Sequence, residues 1–160
     1  MEWAALVTWV LTAGGGLTML GLWLKNGGLG QARQPGRRIR PPLIFSHFAL
    51  AAGGLVVWVI YLIVDKTTLA WVAFVALIPV AVLGFAMLAL WLQRRQESGA
   101  RQSGREASAS TGAAGSMPPP TEGERPAEQH FPLPVVAVHG LLAVATVVLV
   151  FLTAVGVGGS

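Results

Sequence analysis

The sequence predicts an all-α fold: a bundle of four transmembrane helices built from a duplicated two-helix hairpin. Three observations carry that expectation. Of the 160 residues, 54% are hydrophobic and only 11% are charged, outside the usual composition of a soluble domain. Four continuous apolar stretches, 3–24, 43–64, 69–92 and 134–155, contain no Lys, Arg, Asp or Glu, and each is long enough to cross about 30 Å of hydrocarbon at about 1.5 Å per residue. The two halves of the chain also share an ordered set of uncommon residues. Continuous apolar runs, in place of short alternating strands, exclude a β-barrel.

The first stretch lacks a positively charged leader and an evident small-residue cleavage site, so it is expected to be retained as a helix and not removed as a signal. Lys25, Arg33, Arg37, Arg38 and Arg40 follow it with no acidic residue among them, which predicts a cytoplasmic loop. The first hairpin closes at residue 66, and the next connection carries just Asp65 and Lys66. The third helix occupies 67–92, and Arg94 and Arg95 behind it agree with a cytoplasmic end. Both termini are then expected outside a multi-pass protein of the inner (plasma) membrane. Trp3 and Trp71 would mark its outer interface and Trp23 and Trp91 its inner one.

The tract 93–133 is rich in Ser, Gly, Ala, Glu, Arg and Pro, includes Pro118, Pro119 and Pro120, and has no apolar periodicity; this composition predicts a disordered cytoplasmic linker. The fourth helix and a short tail complete the chain over 134–160. With no cysteine present, disulfides, thiolate metal sites, iron–sulfur clusters and cysteine lipidation are excluded. The net charge of +4 lies beside the membrane stretches, where it sets orientation, so nucleic acid is not an expected partner. The expected partners are the lipid bilayer and a redox partner or larger membrane complex.

The repeat is specific in its residues. Helix one ends Gly16-Leu17-Thr18-Met19-Leu20-Gly21-Leu22-Trp23-Leu24 and helix three ends Gly84-Phe85-Ala86-Met87-Leu88-Ala89-Leu90-Trp91-Leu92, which share G-x2-M-L-x-L-W-L. Helix two opens at Pro42 with His47, Leu50 and Ala51, and helix four opens at Pro134 with His139, Leu142 and Ala143, which share P-x4-H-x2-L-A. The offset is 68 residues for the first pair and 92 for the second, so the additional residues fall in the linker, where insertions are tolerated. Two copies of equal orientation imply a pseudo-two-fold axis along the membrane normal. His47 and His139 become equivalent positions, about 7 Å inside the cytoplasmic end at 1.5 Å per residue.

Ionisable residues inside a membrane usually face the bundle interior and mark function. In an antiparallel four-helix bundle, helices two and four are diagonal, so two imidazoles at one level can address one central volume. A haem iron fits that volume with one neutral His on each axial face. Gly16 and Gly84 stand at equivalent depths on the other two helices, where the absence of a side chain lets backbone approach the porphyrin edge. Arg37, Arg38 and Arg40 lie on the side of the haem propionates.

Histidines on alternate helices of a duplicated four-helix unit resemble the membrane-bound b-type cytochromes, in the broad sense of the cytochrome b561 and quinone-reactive subunit families. The helical core also resembles small bacterial integral membrane proteins of unassigned chemistry. The cytochrome resemblance covers the helical core and implies bound haem b, His47 and His139 as its axial ligands, and electron transfer. Many members hold two haems with two histidines per ligating helix. Here the corresponding positions are Ile60, Tyr61, Leu152 and Thr153, which leaves ligands for one haem.

Two other readings stand beside this one. Met19 and Met87 lie at much the same depth as the histidines, and a His2Met2 set suits copper(I). Alternatively no cofactor is bound: each His bonds a neighbouring backbone or hydroxyl group, with Ser46 and Thr18 as candidates, in a non-catalytic structural or anchor subunit. The glycines Gly14, Gly15, Gly16, Gly53 and Gly54 are expected to serve close helix packing, and His130 to be a solvated loop residue. No nucleophile with a base, carboxylate pair or phosphate loop is visible, so the protein is at most an electron-transfer component of an oxidoreductase.

Overall fold

A computed structural model of the chain describes residues 1–31, 40–110 and 127–157, and these are helical almost throughout. The elements are α1 (Glu2–Lys25), a short α2 (Gly28–Gln31), α3 (Pro41–Val64), α4 (Thr67–Ser110), a 3-10 turn (Ala127–His130) and α5 (Leu133–Ala154). Four of them, α1, α3, α4 and α5, are long and apolar enough to cross a membrane, which suggests a membrane protein. Large apolar side chains are exposed along all four, with Ile63 at 78% and Leu141 at 72%, a surface that water would penalise and hydrocarbon would not.

Local chemistry sets the helix ends. Pro41 and Pro42 occupy the first turn of α3, and Arg40 before them is extended at φ −91° and ψ 144°, as a residue preceding proline must be. Asp65 closes α3 in the left-handed region at φ 52°, and α4 begins at Thr67, so a tight turn makes α3 and α4 antiparallel neighbours. At the end of α1 the Asn26 side-chain amide donates to the Leu22 carbonyl at 2.7 Å. Gly27 then turns at φ +78°, and Gly28 lies so close under Trp23 that a Cβ there would overlap the indole.

The apolar part of α4 does not end the helix. The chain stays helical from Leu92 to Ser110, so the irregular linker expected over 93–133 does not begin at Gln93. Residues 93–110 contain no proline and several good helix formers, and a helix already nucleated in its apolar half propagates at little cost. Ser98 and Ser103 donate to the carbonyls of Arg94 and Gly99 at 2.9 and 3.1 Å, and Arg95 stacks 5.0 Å over the Trp91 ring. Pro118, Pro119 and Pro120, with the rest of 111–126, lie outside the described residues, as do Arg33, Arg37 and Arg38 and residues 158–160.

The long helices form a ring in the order α1, α3, α4, α5. The two closest pairs are α3 with α4 and α1 with α5, so the helices of the expected first hairpin, α1 and α3, are not each other's main partners. Every residue buried on α1 and α3 has a buried counterpart in the second half, although Ala70, Val80 and Ala154 are buried without one in the first. On α1 the buried residues are Ala5, Trp9 and Trp23, and 68 residues on, Ala73, Leu77 and Trp91 are buried too. On α3 they are Gly54, Trp58 and Tyr61, and 92 residues on, Thr146, Val150 and Thr153 are buried. Equivalent helices occupy diagonal corners of the ring, the placement a two-fold axis along the bundle requires.

The core is concentrated at the end of the bundle near Asp65, around Ala5, Trp9, Trp58, Tyr61, Leu77 and Val150. Trp58 is fully buried, with Tyr61 at 4.8 Å and Trp9 at 6.4 Å between ring centroids. The Tyr61 hydroxyl donates to Glu2 at 2.7 Å and joins α3 to α1. Among the described residues the buried indole N–H of Trp58 has no acceptor, so its contribution is contact area. Trp58→Ala is therefore expected to destabilise the detergent-solubilised protein by about 3–5 kcal/mol through the cavity it leaves. Trp58→Phe, which removes no hydrogen bond, is expected to lose about half of that or less; thermal unfolding followed by far-UV circular dichroism checks both.

Candidate cofactor site

His47 lies in the second turn of α3, five residues after Pro42, and His139 lies five residues after Pro134 in α5. Each ring bonds to the backbone of the neighbouring helix in its close pair. His47 Nδ1 is 3.0 Å from the Val80 carbonyl oxygen on α4, and His139 Nδ1 is 2.9 Å from the Thr12 carbonyl oxygen on α1. A carbonyl can only accept, so Nδ1 carries the proton in both rings. In the neutral tautomer Nε2 then keeps a free lone pair.

Glycine makes these bonds accessible. Within a helix the Val80 carbonyl accepts from the N–H of Gly84, and the Thr12 carbonyl from that of Gly16. With no Cβ on the residue four positions on, the second lone pair of each carbonyl is open to the imidazole. A Cβ at Gly84 would stand 3.2 Å from His47 Cε1, and one at Gly16 would stand 3.3 Å from His139 Cε1. These approaches are tighter than side chains normally tolerate, so the two glycines admit the imidazoles to the helix surface. The expected hydroxyl partner Thr18 instead donates to Gly14 of its own helix at 2.9 Å.

The two rings meet across the bundle. Their centroids are 6.5 Å apart and their planes are inclined at 57°, although α3 and α5 occupy diagonal corners. Each Nδ1–Cε1 edge lies against its neighbouring helix, which turns the Nε2–Cδ2 edge away from that helix. No residue of 10–22, 41–53, 81–90 or 133–145 around them is buried, all of them described. Below this level Trp23, Trp91 and Ala127 are buried again. Two close helix pairs thus face each other at this level, and each presents one imidazole.

The other expected contributors are placed as follows. Arg40 is exposed at the start of α3. Trp23 and Trp91, expected at the membrane interface, fold inward with 2% and 3% exposure, whereas Trp3 and Trp71 are exposed. Met19 and Met87 are half-buried, one turn beyond Gly16 and Gly84. His130 was expected to be solvated. It belongs to the 3-10 turn that packs against α1 and α4, and among the described residues its buried Nδ1 has no hydrogen-bond partner. Among the described residues no group of three or more His, Cys, Asp or Glu side chains is assembled to hold a metal ion.

The sequence did not point to the carbonyls of Thr12 and Val80. The signal that finds them is a glycine four residues further on in each copy. No protein family, curated protein or solved structure matches the chain.

Gly16→Leu and Gly84→Leu are each expected to push the facing imidazole off its carbonyl and destabilise the protein by about 1–3 kcal/mol, the range for overfilled packing. Gly14, which has open space around it, is the control. Gly14→Ala is expected to be neutral or to stabilise by up to about 1 kcal/mol through helix propensity. Melting temperatures of the three variants in one detergent test the contrast.

Proposed function

We propose that this protein is an integral membrane, b-type cytochrome-like protein that binds one haem between α3 and α5 and transfers electrons through it. His47 and His139 are the axial ligands. The observation that carries the reading is the facing of two backbone-anchored imidazoles across the bundle, with ring centroids 6.5 Å apart. The Nε2 atoms, left free by the carbonyl bonds at Nδ1, are the donors that would hold the iron.

The chain's own groups fit the task. The carbonyls of Thr12 and Val80 hold each ring as the Nδ1–H tautomer, aim Nε2 away from the helix surface and raise its basicity, as partners of metal-bound histidines commonly do. Gly16 and Gly84 give the rings their place on the helix surface. The apolar helices restrict water around the site, and burial of this kind is one determinant of a haem potential. A bound haem supplies a one-electron iron couple. The agreement of burial with the sequence repeat supports descent from a duplicated two-helix unit. The basic residues after helices one and three support a plasma-membrane orientation with both termini outside.

A second reading is favoured by the same two bonds. Imidazole-to-carbonyl bonds between helices also serve as polar glue in a non-catalytic subunit. The reduced-minus-oxidised visible spectrum of the full-length protein, purified in mild detergent from cells supplied with haem precursor, separates the two. A low-spin bis-imidazole haem b spectrum is expected, and it should be lost in His47→Ala and in His139→Ala. A featureless spectrum from folded protein overturns the cytochrome reading in favour of the structural subunit. Gly16→Leu and Gly84→Leu are expected to weaken haem retention by about 10–100-fold, the usual effect of disturbing a partner behind a metal ligand; haem titration of the apoprotein reads it.

A further inference from the structure

The repeat is broken on one flank of the bundle. A groove of about 410 Å³ runs between α1 and α5, lined on α1 by Leu11, Gly15 and Thr18 and on α5 by Pro134, Val138 and Leu142. Leu11, Thr18, Pro134 and Val138 are exposed, so it opens on the outer surface of the bundle. Its polar neighbours are already engaged: the Thr18 hydroxyl donates to the Gly14 carbonyl and the His139 Nδ1–H to the Thr12 carbonyl, each at 2.9 Å. What the walls offer is hydrocarbon. Leu11, Thr18 and Lys25 are seven residues apart and share one face of α1, and Gly21 has open space around it. With no side chain at Gly21, this face runs on from the groove to the exposed Lys25, about 10 Å beyond Thr18 at 1.5 Å per residue. Arg40, Arg94 and Arg95 also stand just past the apolar segments at this end of the bundle. At the equivalent positions of α4 the chain has Pro79, Leu83, Ala86 and Gln93 for Leu11, Gly15, Thr18 and Lys25. The second half thus repeats neither the glycine nor the cation.

We propose that this flank binds one anionic phospholipid, with an acyl chain in the groove between α1 and α5 and the headgroup phosphate against Lys25. The inference needs the helices to stand in a bilayer and is independent of any cofactor between them. Groove and cation suit the two ends of one molecule. Walls that ask for no hydrogen bond suit a methylene chain, which has none to give. Among molecules already in hydrocarbon, however, apolar contact selects little, so the choice of lipid falls to the charge. The flexible stem of a lysine lets its ammonium reach the headgroup level, and Arg40, Arg94 and Arg95 at the same end make the local potential more positive. A zwitterionic headgroup carries a cation of its own and gains less from such a site.

The test uses the full-length protein, reconstituted in bilayers of equal parts phosphatidylglycerol and phosphatidylcholine and released into mild detergent for native mass spectrometry. The wild type is expected to retain one phosphatidylglycerol per chain, several-fold in excess of phosphatidylcholine. Lys25→Gln should lower that preference about five-fold, the effect of one cation near an anionic headgroup, while a lipid of either class is still held. Thr18→Trp fills the groove from its exposed wall and should abolish retention of both lipids. Val138→Trp, on the opposite wall, replaces that variant if it does not fold. Ala86→Trp, at the position equivalent to Thr18, should change nothing. Equal retention of the two lipids by the wild type overturns the proposal, as does retention that survives the groove-filling variants or a preference that survives Lys25→Gln. A dimer free of lipid assigns the flank to a second copy of the chain and overturns it as well.

Discussion

Two hydrogen bonds, from His47 to the Val80 carbonyl and from His139 to the Thr12 carbonyl, determine much of what the bundle can do. Between helices as apolar on their outer faces as at their contacts, apolar contact would give little net preference for association in a bilayer. Packing and interhelical polar bonds carry more of the burden. These two bonds act at the level where side-chain packing is sparsest. They also leave the reactive nitrogen of each ring free, because the proton sits on Nδ1. One interaction thus joins a helix pair and sets the chemistry of the ring it holds.

The reciprocity of the bonds follows from the way the two halves of the chain interlock. Helix α3 of the first half packs on α4 of the second, and α5 of the second packs on α1 of the first. Each half therefore lends its histidine to the glycine-bearing helix of the other, and neither half alone completes a histidine–carbonyl bond. Symmetry also explains the distribution of the core. Equivalent small and large residues, such as Ala5 with Ala73 and Trp23 with Trp91, are buried at matching places.

Much of the fold was legible in the sequence because hydrocarbon leaves a chain few choices. Apolar stretches of 22 residues and more, Pro41 and Pro42 in the first turn of α3 and Pro134 in the first turn of α5 all announce helices, since in a bilayer backbone groups would have to bond within their own segment. The diagonal placement of α3 and α5 followed from the repeat. The extension of α4 to Ser110 did not, because a composition poor in apolar residues reads as irregular unless the helix that feeds it is considered. Nor was the inward folding of Trp23 and Trp91 legible, since tryptophan at a helix end is ordinarily interfacial.

For the candidate site, the sequence by itself singled out His47, His139, Gly16 and Gly84 by their recurrence at fixed offsets. Only the tertiary structure decided which glycine serves which histidine, that the acceptors are the backbone carbonyls of Thr12 and Val80, and that the rings stand 6.5 Å apart. The physical reason is that helix periodicity fixes the face on which a residue lies but says nothing about which neighbouring helix meets that face. A backbone acceptor, moreover, has no residue type of its own to reveal it.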